Sequence, residues 1–294
     1  MKKEPKIKIF VVHHKPWYIY EDDVYIPIQV GKKNAKVDLW ILWDDTWDNI
    51  SDRNSQYAEL TAQYWVWKNY DLSDVDYVWF CHYRRYMTYC YNPNIFNHLI
   101  TRKNPYWKRE DSSLFLWKWK SLREYNHICE FDKNILKNNS QNIKNFIEKN
   151  PCDVYTLKRK KILKLFWFKF GIEPRFWFVN HEEVRNDAVE FYVKTHKNQW
   201  NIIKWTEKEY KGYYPFNRHI YLMKREFFLM YMEWLFKFLF GFEEILKNKK
   251  YDWFFVYERF MAIFSEPLIT YWLYYMQKIN NIKVLSDANQ IMFV

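Results

Sequence analysis

With 294 residues, a formal net charge of +11, and only 4 glycines and 9 prolines, the chain can bury one large core and contains no low-complexity linker or disordered spacer. The charge calls for an anionic partner. No helix-turn-helix, RNP aromatic signature or zinc-finger spacing accompanies it, so nucleic acid falls behind a phosphate-bearing substrate and an anionic membrane surface. Aromatic residues make up 22% of the chain, more than a core of this size uses, which places rings on clefts or interfaces.

Lys6 to Val12, KIKIFVV, reads as a first buried strand that releases His13, His14 and Lys15 at its carboxyl end. Val37 to Trp43 reads as a second strand running into Asp44 and Asp45. The segment DNISDRNSQYAELTAQYWVWKNY then predicts a helix capped by Ser51 or Asn54, with Glu59, Gln63 and Trp67 sharing a face. Asp76 to Cys81 is the third strand, and it leads into His82, Arg84 and Arg85 with Tyr83 and Tyr86 interleaved. The order strand, helix, strand argues for a Rossmann-like α/β layer in the first third, in which ligands bind beyond the carboxyl ends of the strands.

From about Asn92 to Asn150 the chain is polar and weakly periodic, and only scattered helices are expected there. Asp153 to Leu157 and Asn217 to Met223 read as further strands, and Lys158 to Phe170 sets six cations among aliphatic and aromatic residues. That last segment suits an interfacial membrane contact or a solvated helix face with a core side. Arg225 to Leu246 is an amphipathic helix turning Phe228, Tyr231, Leu235, Phe238, Leu239 and Phe242 inward, and Val256 to Met276 reads as one more helix with Glu258 and Arg259 near its start.

Cys81, Cys90, Cys129 and Cys152 form neither a CxxC pair nor a metal-ligand rhythm, as expected of free thiols in a reducing compartment. The opening MKKEPKIKIFVV lacks a signal-peptide core, and Trp234 to Phe242 is interrupted by Lys237 and too short to span a bilayer. A cytoplasmic protein resting on the inner membrane face is the expectation.

Four glycines form neither a GxGxxG nor a P-loop pattern, so phosphate has to be held by side chains. Arg84 and Arg85 offer bidentate forks, with His82 and His14 as further donors, and nearby rings can stack on a base or sugar. Asp44, Asp45 and Asp48 admit a divalent-metal site, hydrogen bonds to ribose and base, or a loop turn with a helix cap. A DxD does not follow the YVWF strand, where Cys81 and His82 stand instead; Asp74 and Asp76 have that spacing but enter the strand. Cations are the alternative to a metal for neutralising a departing diphosphate.

The stretches KIFVVHHKP, DDTWDNISDRNSQYAELTAQYWVWKN, FCHYRRY, FNRHIYLMKREFFLMYMEWLF and YERF, in this order along nearly the whole chain, resemble the family known as domain of unknown function 4422, found in bacterial capsule and O-antigen gene clusters. The resemblance implies a glycosyltransferase of α/β, GT-A-like fold in a single domain. Residues 1–90 would bind nucleotide through a Rossmann-like sheet, 91–212 would form a variable acceptor or membrane region, and 213–294 a strand with C-terminal helices. Some members of the family are galactofuranosyltransferases that use a UDP-sugar. Implied partners are a UDP-sugar donor and a glycan or lipid-linked oligosaccharide acceptor, without a cofactor. Donor contacts are expected from His14, Lys15, Asp45, Asn49, His82, Arg84, Arg85 and Asn217, and acceptor contacts from Trp253 and Arg259. An inverting transfer needs a carboxylate base, for which Glu258 of YERF stands first and Asp45 second. The usual Asn-Met-Phe of the family is Asn217, Arg218, His219 here, and its His-rich middle block is represented only around His181. The non-enzymatic alternative is a carbohydrate-binding, membrane-docked assembly protein.

Overall fold

Strand β1, Ile7–His13, is buried along nearly its whole length, as a parallel strand covered on both faces has to be. The computed structural model describes residues 4–83, 85–88, 133–157, 221–249, 258–266, 268–288 and 290–293, with helical positions at 184, 187, 190, 191, 194 and 195. β1 pairs in parallel with β2, Tyr25–Gln29, from Ile9 opposite Tyr25 to His13 opposite Gln29. β2 carries the short β3, Leu42–Trp43, and the other flank of β1 pairs in parallel with β4, Tyr77–His82, from Ile7 opposite Tyr77 to Val12 opposite His82. Beyond β4 the sheet is mixed: the next strand pairs antiparallel with both of its neighbours, and the outermost pair is parallel again. The full order is β3-β2-β1-β4-β7-β6-β8, where β6 is Val154–Leu157, β7 is Tyr221–Lys224 and β8 is Val284–Ala288. A side ladder joins β5, Arg85–Thr88, to the end of β4 and to β9, Gln290–Phe293.

The strand expected over Val37 to Trp43 shrinks to Leu42–Trp43. The Gln29 side chain takes over the backbone groups that a ladder would use: its Nε2 donates to the Val37 carbonyl (2.8 Å) and its Oε1 accepts the Leu39 N–H (3.0 Å). Trp40 beside them is left-handed at φ 55°. The true neighbour of β1 is YIPIQ, whose Pro27 argues against a strand in sequence terms.

Two helical layers cover the sheet. Helices α1, Asn54–Tyr57, and α2, Leu60–Asn69, lie with the long α4, Arg225–Asn248, over one face, where Phe80 stacks on Phe10 (5.2 Å) and on Phe228 (5.7 Å). Tyr64 of α2 meets Phe236 edge-on at 4.9 Å. Helix α3, Lys133–Lys149, covers the opposite face, its Asn139 donating to the Tyr25 hydroxyl (2.7 Å). The sequence pattern suggests only scattered helices here because the buried stripe is partly polar: Leu136, Asn139, Ser140, Ile143 and Ile147 turn inward.

All six apolar residues expected to face inward on α4 are buried. The single helix expected over Val256 to Met276 is two, α5, Phe260–Ser265, and α6, Leu268–Ile279, and the sequence carries Pro267 at the break. Phe264 of α5 stacks on Phe242 (4.7 Å) and Trp272 of α6 packs on Tyr231 (5.2 Å). Among the described residues no helix is long and apolar enough to cross a membrane. Cys81 is buried, which pushes its thiol well above the usual range, and Cys152 is a half-buried free thiol.

Candidate functional site

Strands β1 to β4 run in the same direction, so their carboxyl ends open on one edge of the sheet, where an open α/β sheet takes its ligand. At the end of β1, His13 is fully buried and stacks on Tyr83 (5.4 Å), which also receives His14 (5.3 Å) and Trp17 (5.7 Å) edge-on. Burial, with the charge of His14 added, lowers the His13 pKa to about 4, so its ring is neutral near pH 7. Neither of its nitrogens meets a hydrogen-bond partner among the described residues. His14 and Lys15 follow on the surface.

The loops after β2 and β3 are tied by Asp44. Its buried carboxylate accepts the backbone N–H groups of Gly31 (2.9 Å) and Lys32 (3.1 Å) and the Ser51 hydroxyl (2.6 Å). Gly31 is left-handed (φ 62°), and a Cβ there would stand 2.8 Å from Asn54, so glycine is required. Asp44 is thus occupied by the fold. Asp48 accepts the Tyr64 hydroxyl (2.9 Å), while Asn49 donates to the Trp47 carbonyl and accepts the Ser51 N–H. Asp45 is half-buried and makes no hydrogen bond or ion pair among the described residues, which leaves its carboxylate open to a ligand. No three His, Cys, Asp or Glu side chains converge as metal ligands among the described residues.

At the end of β4 the central group is Glu59, which the sequence places only on a helix face. Its side chain is 7% exposed; Oε2 accepts Arg259 Nη2 (3.2 Å) and Oε1 faces His82 Nε2 (3.7 Å). Three elements distant in sequence meet there: the start of α2, the end of β4 and the turn before α5. Backbone strain flanks the contact, with Ala58 at φ 44°, ψ −123° and Arg259 at φ 63°. The Arg259 N–H donates to the Ser55 carbonyl (2.5 Å). One turn beyond Glu59, buried Gln63 accepts the Tyr221 hydroxyl (3.4 Å). A carboxylate and an amide on the buried side of a helix are the signal that could have flagged this site in the sequence.

Glu258, exposed, precedes Arg259 in the same turn, and Arg259 pairs with Glu59. Arg85 enters β5 opposite Phe293. Arg84, Asn217 and Trp253 lie outside the described residues, as do Arg218 and His219 of the FNRH block, His181 and the whole of Lys158 to Phe170. The structure therefore joins His82 and Arg259 through Glu59, with Glu258 next to Arg259 in the chain, while His14 and Lys15 follow the neighbouring strand β1 and Asp45 and Asn49 follow β3.

This mixed α/β architecture is shared with a glycosyltransferase: the apo structure of the WbbM bifunctional glycosyltransferase superposes with a TM-score of 0.72 and 24% sequence identity over 98% of this chain. The match takes in 45% of that protein, so the present chain spans less than half its length. The chain belongs to the family described as domain of unknown function DUF4422, whose model matches residues 8–278. No curated protein matches it.

Proposed function

We propose that the protein is an inverting glycosyltransferase that moves galactofuranose or galactose from a UDP-sugar to a growing capsular polysaccharide or lipopolysaccharide glycan. The observation that carries this reading is the pair of basic side chains, His82 and Arg259, gathered on Glu59 at the carboxyl end of β4. A diphosphate needs such donors where no glycine-rich loop supplies backbone N–H groups. In the proposed step the acceptor hydroxyl attacks the anomeric carbon from the face opposite the nucleotide. Its proton passes to Glu258, the carbon–oxygen bond to the diphosphate breaks, and UDP leaves with the bonding pair, its charge met by Arg259, His82 and the Arg84–Arg85 pair.

Asp45 lies three strands from β4, roughly 14 Å at the usual strand spacing. It suits the ribose or base better than the reacting carbon, and Glu258 remains the base. Arg259, expected on the acceptor side, is assigned to the diphosphate instead, because it shares Glu59 with His82. Transfer on this reading needs no divalent metal. The protein docks on the cytoplasmic membrane face through Lys158 to Phe170, where each cation adds about 1 kcal/mol near an anionic surface.

Thermal shift with UDP, with and without Mn²⁺, followed by UDP release from UDP-galactose and UDP-galactofuranose with glycan acceptors, tests the proposal. Metal-free stabilisation by UDP and acceptor-dependent release support it. Glycan binding without any response to UDP would favour the assembly protein instead.

A further inference from the structure

Resting on the donor reading above, we infer that Glu59 is a positioning residue: it holds Arg259 and His82 as one anion-binding unit for the diphosphate of a nucleoside diphosphate, and the NSQYAEL segment is its mount. A buried carboxylate paired with an arginine is a poor way to stabilise a fold, because desolvation offsets most of the attraction. What such a group fixes is geometry. Each carboxylate oxygen faces a different basic side chain, and among the described residues Arg259 reaches Glu59 through Nη2. Its side chain is 54% exposed, leaving the rest of the fork for an anion.

The mount is built to hold Glu59 still. The Ala58 peptide, in a conformation that L residues rarely adopt, is pinned on both sides. Its N–H donates to the Asn54 carbonyl (2.8 Å), and its carbonyl accepts Asn54 Nδ2 (2.9 Å) and the Thr61 hydroxyl (3.0 Å). Asn54 in turn fills the space beside Gly31. The Arg259 N–H bond to Ser55 ties the far cation to the same segment. Strain held by so many bonds from one short stretch fits a group whose position matters more than the stability it contributes.

Calorimetric titration of the full chain with UDP and with uridine separates the diphosphate contribution from that of the nucleoside. Glu59→Gln is expected to weaken UDP binding by about tenfold to a hundredfold, the size of a hydrogen bond to a charged group, and to leave uridine binding unchanged. Arg259→Lys is expected to do the same. The double variant should be no weaker than the weaker single one by more than about twofold, because both remove one unit. UDP affinity of Glu59→Gln within about twofold of wild type overturns the inference, as do equal losses for UDP and uridine or an additive double variant. If Glu59→Gln does not fold, Arg259→Lys decides alone, and unchanged UDP affinity overturns the inference. Wild-type binding of another nucleoside diphosphate in place of UDP sinks the uridine assignment only, and the same cycle run on that nucleotide still tests Glu59. Wild type that binds no nucleoside diphosphate sinks both.

Discussion

Replacing Asp44 and Asp45 by asparagine should have opposite consequences, although the two residues are adjacent. The Asp44 carboxylate is fully buried and meets three donors: Gly31 N–H on Oδ2, and Lys32 N–H and the Ser51 hydroxyl on Oδ1. An asparagine oxygen in the Oδ1 position keeps two of them. The amide nitrogen then faces the Gly31 N–H, donor against donor, so the Gly31 N–H and the new amide N–H are both buried without an acceptor, at about 1–3 kcal/mol each. Asp44→Asn should therefore lower the unfolding free energy by about 2–6 kcal/mol. Asp45, half-buried and without a partner among the described residues, has no such bonds to lose, and Asp45→Asn should stay within about 0.5 kcal/mol. Urea denaturation followed by tryptophan fluorescence measures both, read as a midpoint change at constant m. If Asp44→Asn is as stable as wild type, the loop tie is not what Asp44 does, and a ligand role for it has to be reconsidered. On the proposed function, Asp45→Asn should weaken UDP binding while sparing the fold.

Between pH 4 and 6.5 unfolded chains protonate position 13 and folded ones do not, because burial lowers the His13 pKa from 6.5 to about 4. Wild type should hold this stability above about pH 6.5 and lose up to about 3 kcal/mol of it as the pH falls towards 4, and His13→Phe should flatten that slope in urea titrations at several pH values; parallel slopes would refute the assignment. Gly31→Ala forces a side chain into left-handed backbone and onto Asn54, and should cost at least about 1–2 kcal/mol by denaturation. Phe228→Ala opens the stack on Phe80 and should cost about 3–5 kcal/mol. EDTA should leave sugar transfer unchanged; abolition by EDTA and rescue by Mn²⁺ would overturn the metal-free proposal. Flotation with anionic but not neutral liposomes is expected of wild type, and equal recovery with both would rule out the electrostatic docking of Lys158 to Phe170.

What is legible in the sequence is what periodicity writes plainly. IKIFVV and YVWFC are continuous buried runs, and the inward face of α4 repeats at helical spacing, so these elements appear where their patterns fall. Elements whose polar groups are satisfied by side chains are not legible in this way. The Gln29 amide dissolves an expected strand, and the helix over Lys133–Lys149, though amphipathic, is so polar overall, with Asn139 and Ser140 even on its buried face, that its apolar stripe is thin. The candidate site is only partly written in the sequence. His14, His82, Glu258 and Arg259 can be picked out by residue type and position, but Glu59 and His13 need the third dimension. Glu59 meets Arg259 across 200 positions of sequence, and the burial of His13 depends on Tyr83 arriving from the end of another strand.

The seam where β4 meets β7 has a consequence for how the chain is made. The two strands are separated by about 140 residues, which a ribosome working at about 5–20 residues per second takes on the order of ten seconds to supply. During that interval the nascent β4, YVWFCH, exposes an open hydrogen-bonding edge lined by Trp79 and Phe80. Such an edge templates pairing with other chains. Expression in a cell that slows translation or lacks holdase chaperones should divert this protein into aggregates during synthesis, and the yield should respond to temperature and chaperone level more than to substitutions that alter the stability of the finished molecule.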